Sequence, residues 1–265
     1  MFEAGPRTCW TLNNSQYIMR NICLTIEYDG TRFCGWQRQK PRKSLRTVQE
    51  EIEKTAKKLF SKKIRLTGAG RTDSGVHAEG QVANFKIDSK LPLRNIKRGL
   101  NSLLPRDIAV CSIEAKGPSF HARFDAEGKL YRYTILNKKE RSPLLKRYTA
   151  FCSYGLDINA MRKAARYFIG RKDFRSFQAS DKRNGNSVRT IKRLEVISKG
   201  SLIEIYIQAD GFLYNMVRNI AGTLIDVGRG RIAPEETIDI LSKRHRSAAG
   251  QTAPSKGLCL VKVFY

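Results

Sequence analysis

The sequence predicts an α+β fold built twice over, and three observations carry that expectation. Short segments alternate apolar and polar residues, helical periodicity separates them, and the order of elements in the first half returns in the second. Ile22, Leu24, Ile26 and Tyr28 alternate with Cys23, Thr25 and Glu27, the pattern of a half-buried strand. Thr47 followed by Glu50 is a capping box, opening a helix with Val48, Ile52, Ala56 and Leu59 on one face. A short strand is expected near Ile64 to Thr67, then a glycine-rich loop, then a strand carrying Ala83, Phe85 and Ile87. Pro92 suits the first turn of a helix that turns Ile96, Leu100 and Leu103 inward. A strand from about Ile108 to Ile113 closes this half.

The second half follows the same order. Tyr131, Tyr133 and Ile135 alternate with Arg132 and Thr134. Asp157 caps a helix carrying Ile158, Met161, Ala165 and Phe168, and Gly170 stops it. Strands around Val188 to Val196 and Leu202 to Gln208 flank a turn at Lys199-Gly200-Ser201. A helix is expected from Phe212 to Val227, another from Pro234-Glu235-Glu236, and a last strand from Leu258 to Phe264. The expectation is therefore two ferredoxin-like β-α-β-β-α-β halves with mainly antiparallel sheets joined around a central basic cleft. Residues 19–120 form the N-terminal half with the glycine loop, and residues 121–265 the C-terminal half. Residues 1–18 lack the pattern of a signal peptide: either Met19 is the natural start or the leader is a loose extension.

Fifty lysines and arginines against 24 acids give a formal net charge of +26 over 265 residues. Such an imbalance favours a polyanion, because neutralising phosphates releases counterions. The basic residues are spread through the chain, and no apolar run approaches a membrane span. Nucleic acid is the expected partner, and a membrane is not. Six scattered cysteines never form a Cys-x-x-Cys, which fits reduced thiols in a cytoplasmic protein rather than a disulfide framework or a zinc site.

The segment Gly68-Ala69-Gly70-Arg71-Thr72-Asp73-Ser74-Gly75-Val76-His77-Ala78 carries the chemistry. It sets one carboxylate two residues behind an arginine, and a neighbouring cation favours the ionised form. Several familiar patterns fail here on single residues. A dinucleotide fingerprint has Asp73 at its third glycine, and a P-loop has Val76-His77 where Lys-Ser/Thr belongs. His77-Ala78-Glu79 lacks the Pro-Cys-x-x-Cys of a zinc deaminase, and Asp73-Ser74-Gly75 lacks the second triplet of an aspartic protease. The bland alternative is a turn aspartate bonding its own backbone.

The whole segment decides between them. Arg71 to Ala78 closely resembles the active-site segment of the tRNA pseudouridine synthase A family, which modifies the anticodon stem-loop. Glu27-Tyr28-Asp29-Gly30, Gly35-Trp36-Gln37-Arg38-Gln39 and Thr47-Val48-Gln49 resemble its N-terminal region. Phe120-His121-Ala122-Arg123-Phe124 with Tyr131-Arg132-Tyr133 resembles its centre. Asp173-Phe174 and Phe212-Leu213-Tyr214-Asn215-Met216-Val217-Arg218-Asn219-Ile220 resemble its C-terminal half. The resemblance implies a cofactor-free, metal-free RNA isomerase acting on uridines at tRNA positions 38 to 40, working as a homodimer. It implies Asp73 as the essential carboxylate, Arg218 as its basic partner, and Tyr131 against the target uracil. Arg71 is implied as an RNA contact beside the aspartate, and Trp36, Arg38, His121 and Arg123 stand as further candidate RNA contacts. The rival reading is a non-catalytic RNA-binding protein or chaperone with tandem RRM-like halves, although no RNP1 pattern is present. A metal-dependent phosphodiesterase would need clustered carboxylates, and Asp73 has no close acidic neighbours in the sequence.

Overall fold

The computed structural model describes residues 19–38, 46–179 and 185–265, so the expected extension at residues 1–18 lies outside the described residues. Ten strands form one sheet: β1 (Met19–Tyr28), β2 (Thr67–Gly68), β3 (His77–Asp88), β4 (Ile108–Lys116), β5 (Gly128–Asn137), β6 (Ala150–Cys152), β7 (Gly170–Asp173), β8 (Val188–Lys199), β9 (Leu202–Ala209) and β10 (Leu258–Phe264). The helices are α1 (Val48–Phe60), α2 (Leu93–Leu103), α3 (Ile158–Arg166), α4 (Met216–Gly228) and α5 (Glu236–Lys243). Strand order is β4-β1-β3-β10-β5-β9-β8-β7, with β2 also on β3 and β6 also on β5. All pairings are antiparallel except β3 with β10 and β5 with β6.

The parallel seam positions the site. Ala78 of β3 pairs with Leu260 of β10, and Leu260 pairs with Tyr131 of β5. A residue that begins β3 is thereby brought two strands from the middle of β5, although 53 positions separate Ala78 from Tyr131 in sequence. Alternation delivers the core as expected: Ile22, Leu24 and Ile26 are fully buried, and Phe85 meets Phe60 of α1 with ring centroids 6.0 Å apart. Thr47 caps α1, accepting from the Glu50 amide at 3.4 Å, while the Glu50 carboxylate pairs with Lys54 and does not close the reciprocal half of the box. Asp157 caps α3 through the amides of Asn159 and Ala160.

Three expectations need correction. The strand near Ile64 to Thr67 shrinks to Thr67–Gly68, because side chains of α1 take the backbone groups a strand would use. Glu53 accepts from the Leu66 amide at 3.0 Å, and Gln49 donates to the Leu66 carbonyl at 2.9 Å. Leu103 is 47 % exposed, since α2 ends there and Leu104 takes the inward place. The helix expected from Phe212 begins only at Met216, because Asn215 has φ +59°, a left-handed conformation that a helix interior does not hold. On α4, Asn219 is fully buried and Gly222 packs on the Gln251 carbonyl.

Candidate active site

Asp73 lies on the loop between β2 and β3, and the sequence around it explains why that loop is fixed. The Trp36 amide donates to the Thr72 carbonyl at 3.1 Å, and the Gly75 amide donates to the Phe33 carbonyl at 3.2 Å. Gln81 donates to the Gly70 carbonyl at 3.0 Å, and the hydroxyls of Tyr28 and Thr72 share a 2.8 Å bond. Gly68 lets the Trp36 indole lie flat on the loop, where a Cβ would enter the ring. Backbone groups of the loop, together with the Thr72 hydroxyl, thus find partners on three other segments, which gives the carboxylate a defined position.

Two elements converge on that carboxylate. Arg218, in the first turn of α4, places Nη1 3.9 Å from Asp73 Oδ2. Its own position is set elsewhere: Nε donates to the Ala253 carbonyl at 2.7 Å and Nη1 donates to Asn215 Oδ1 at 3.0 Å. Tyr131 comes from β5, its ring edge-on to Phe212 with centroids 5.0 Å apart. The sequence expectation that a neighbouring cation alone sets the charge of Asp73 is incomplete. Burial lifts its carboxyl above the ordinary range, and Arg218 offsets only part of that rise. Burial pushes the Tyr131 hydroxyl far up as well, with Tyr28, Asp73 and Cys259 adding to the effect.

The other sequence candidates divide. Arg71 does not pair with Asp73; its Nε donates to Gln37 Oε1 at 3.2 Å on an exposed surface open to a ligand. Arg38 is exposed and stands 3.6 Å from Glu53. Arg123 is exposed, with its guanidinium 5.8 Å from the Phe124 ring. Trp36 is 1 % exposed, so no indole face is free to stack on a base, and its candidacy as an RNA contact gives way to a scaffold role. His121 is half-buried, and its Nδ1 accepts from the amides of Arg123 and Phe124, both at 3.2 Å. That nitrogen shapes its own turn, and one ring face stacks on Phe124 with centroids 4.2 Å apart, leaving the other face and Nε2 for RNA.

His77 is equally committed. Its Nδ1 accepts from the Gly30 amide at 3.0 Å, which leaves Nε2 to donate to the Arg147 carbonyl at 2.9 Å. Among the described residues, no three His, Cys, Asp or Glu side chains gather as metal ligands. No described helix is long and apolar enough to cross a membrane. Sequence reasoning missed the Tyr28–Thr72 hydroxyl pair, the Asn215 and Ala253 supports of Arg218, and Lys129. Only Lys129 carried a usable signal, since it precedes Tyr131 by two residues on a strand and so shares its face.

A half-buried carboxylate, an arginine and a tyrosine within a strongly basic chain define a site for chemistry on a bound polyanion. The tRNA pseudouridine synthase family model matches residues 24–125 and 164–265. A tRNA pseudouridine synthase A 2 of Clostridium perfringens is 46 % identical over 247 residues, covering 93 % of this chain and all of the relative. A tRNA pseudouridine synthase A of a Thermoanaerobacter species is 47 % identical over the same shares of each. Among solved structures, a Cbf5–Nop10–Gar1 complex aligns with a TM-score of 0.34 and 13 % identity, covering 91 % of this chain and 49 % of that one, too distant to inform the site. The chain belongs to the tRNA pseudouridine synthase family, and it is therefore an enzyme that isomerises uridine in tRNA.

Proposed function

We infer that the chain converts uridine to pseudouridine at positions 38 to 40 of the tRNA anticodon stem-loop, with Asp73, Arg218 and Tyr131 as its catalytic residues. The convergence of those three side chains at the β3–β10–β5 seam carries this reading. The base leaves its stack, at a cost of about a few kcal/mol that phosphate contacts and stacking offset. The N1–C1′ bond then breaks, the uracil turns, C5 bonds to C1′, and the C5 proton departs while N1 gains one. Asp73 attacks C1′, attacks the ring, or otherwise assists departure of the base, and a nucleophilic or electrostatic role requires the ionised carboxylate. Arg218 favours that ionised form against the burial that opposes it. Tyr131 packs on the uracil and takes part in proton transfer at C5.

Residues 19–120 and 121–265 form two ferredoxin-like halves flanking a basic cleft. In support, the orders β4-β1-β3-β2 and β10-β5-β9-β8 have the same form, and the family model matches in two segments. A cytoplasmic homodimer that needs no cofactor completes the proposal. The test is tritium release from a tRNA transcript labelled at uridine C5, with Asp73→Asn alongside. Release by the wild type alone, with pseudouridine mapped to the anticodon stem-loop, supports the reading. Tight binding by folded protein without release from several tRNAs would overturn it.

A further inference from the structure

Lys129 lies beside the catalytic loop, and nothing in the chemistry above uses it. It sits two residues before Tyr131 on β5, so both side chains leave the same face about 7 Å apart along the strand. Its stem lies against Gly70: a Cβ there would stand 2.8 Å from Lys129 Nζ and 3.2 Å from Cε. Gly70 is itself held by Gln81 and precedes Asp73 by three residues, which fixes the ammonium beside the carboxylate-bearing loop.

Among the described residues, no carboxylate and no hydrogen-bond acceptor meets the Lys129 ammonium. Lys129 is half-buried, and partly desolvating an ammonium that no carboxylate meets is costly. Here burial first, and the Arg123 cation second, push its pKa down. An arrangement that costs free energy in the empty protein makes sense when the missing anion arrives with the ligand. In this family the ligand is a polyanion.

We propose that Lys129, with Arg123, grips a backbone phosphate flanking the target uridine and so places the flipped nucleotide against Asp73 and Tyr131. This rests on the uridine-isomerase reading of the same cleft. The geometry assigns Gly70 the task of leaving room for the lysine stem.

The test is a cycle between protein and RNA. Wild type, Lys129→Met and Lys129→Arg are each measured with an anticodon stem-loop carrying all its phosphates. The same measurements use two RNAs with one neutral methylphosphonate, either 5′ or 3′ of the target uridine. Kd and kcat/KM are read for every pair. Lys129→Met, which keeps the stem against Gly70, is expected to weaken binding of the unmodified RNA about tenfold or more and to lower the salt slope by about one. With one of the two methylphosphonate RNAs, wild type and Lys129→Met should then bind equally. Lys129→Arg should restore the salt slope. Additive losses with both modified RNAs would overturn the clamp, as would an unchanged salt slope in Lys129→Met. If wild type binds the stem-loop but leaves uridine intact, the isomerase reading falls while the binding cycle still decides on the clamp.

Discussion

Arg218 Nη1 stops 3.9 Å short of Asp73 Oδ2, while the same nitrogen donates to Asn215 at 3.0 Å. The pair is therefore an electrostatic contact and not a closed bidentate bridge, which leaves the carboxylate oxygens open to substrate. Burial raises the Asp73 carboxyl and Arg218 lowers it. Removing the guanidinium leaves only the first effect. Arg218→Met should move the acid limb of kcat/KM to higher pH and reduce the plateau about 10²- to 10³-fold, the usual loss of a preorganised electrostatic partner. A pH–rate profile checks this, and an unmoved acid limb would show that Arg218 does not tune Asp73.

Asp73→Asn separates catalysis from stability. A carboxyl whose pKa is higher in the folded state binds more protons folded than unfolded between the two pKa values. Stability is therefore lost as pH rises through that window, and the ionised group is a net burden at neutral pH. The asparagine variant is expected to bind tRNA, to release no tritium, and to melt at a higher temperature than wild type at pH 7. The gap should close at pH values below the ordinary aspartate range. Thermal melts across pH decide; a lower melting temperature at pH 7 would mean that Asp73 contributes to the fold and is not held there against it.

Trp36 offers a test of the scaffold role. The indole is buried on Gly68, and its backbone bonds Thr72 on one side and Gln49 on the other. Trp36→Ala should cost about 3–5 kcal/mol of stability, as large-to-small core changes do. Gly68→Ala should act in the same direction, because its methyl enters the ring. Urea denaturation measures both. At low temperature the folded Trp36→Ala fraction should keep near-normal tRNA affinity, whereas an unstable variant that also loses affinity severalfold would return Trp36 to the RNA surface.

The alternating strands and capped helices were legible because periodicity and side-chain capping are local. Ile22, Leu24 and Ile26, Thr47 and Asp157 behave as their spacing implies. Asp73, Arg218 and Tyr131 became legible through the family resemblance, and no spacing rule could have joined residues so far apart. Their meeting depends on the β3–β10 pairing, in which only two residue pairs unite the strands. Misreadings arose where tertiary partners override local pattern. Ile64 to Leu66 is apolar enough for a strand, yet Glu53 and Gln49 claim its backbone bonds. Trp36 looks like a stacking platform in sequence, and only the packing shows Gly68 beneath it. Strands β6 and β7 are three and four residues long, too short to show alternation.

Tyr131 carries the last expectation. Burial, Tyr28, Asp73 and Cys259 together hold its hydroxyl protonated far beyond the working range. In the proposed role it works as a neutral phenol, receiving the C5 proton only as it passes its own on, and any basic limb in the pH profile belongs to another group. Tyr131→Phe keeps the ring and its edge contact with Phe212, so the variant should fold and bind tRNA as wild type does. Turnover should fall about 10²- to 10⁴-fold, the range for losing a group that moves a proton in the transition state. Single-turnover rates from pH 6 to 10 measure this, and the shape of the profile should survive the loss of height. Full turnover in Tyr131→Phe would leave the ring a packing surface for uracil and nothing more. Disappearance of a basic limb would show instead that the phenol titrates, against the burial that surrounds it.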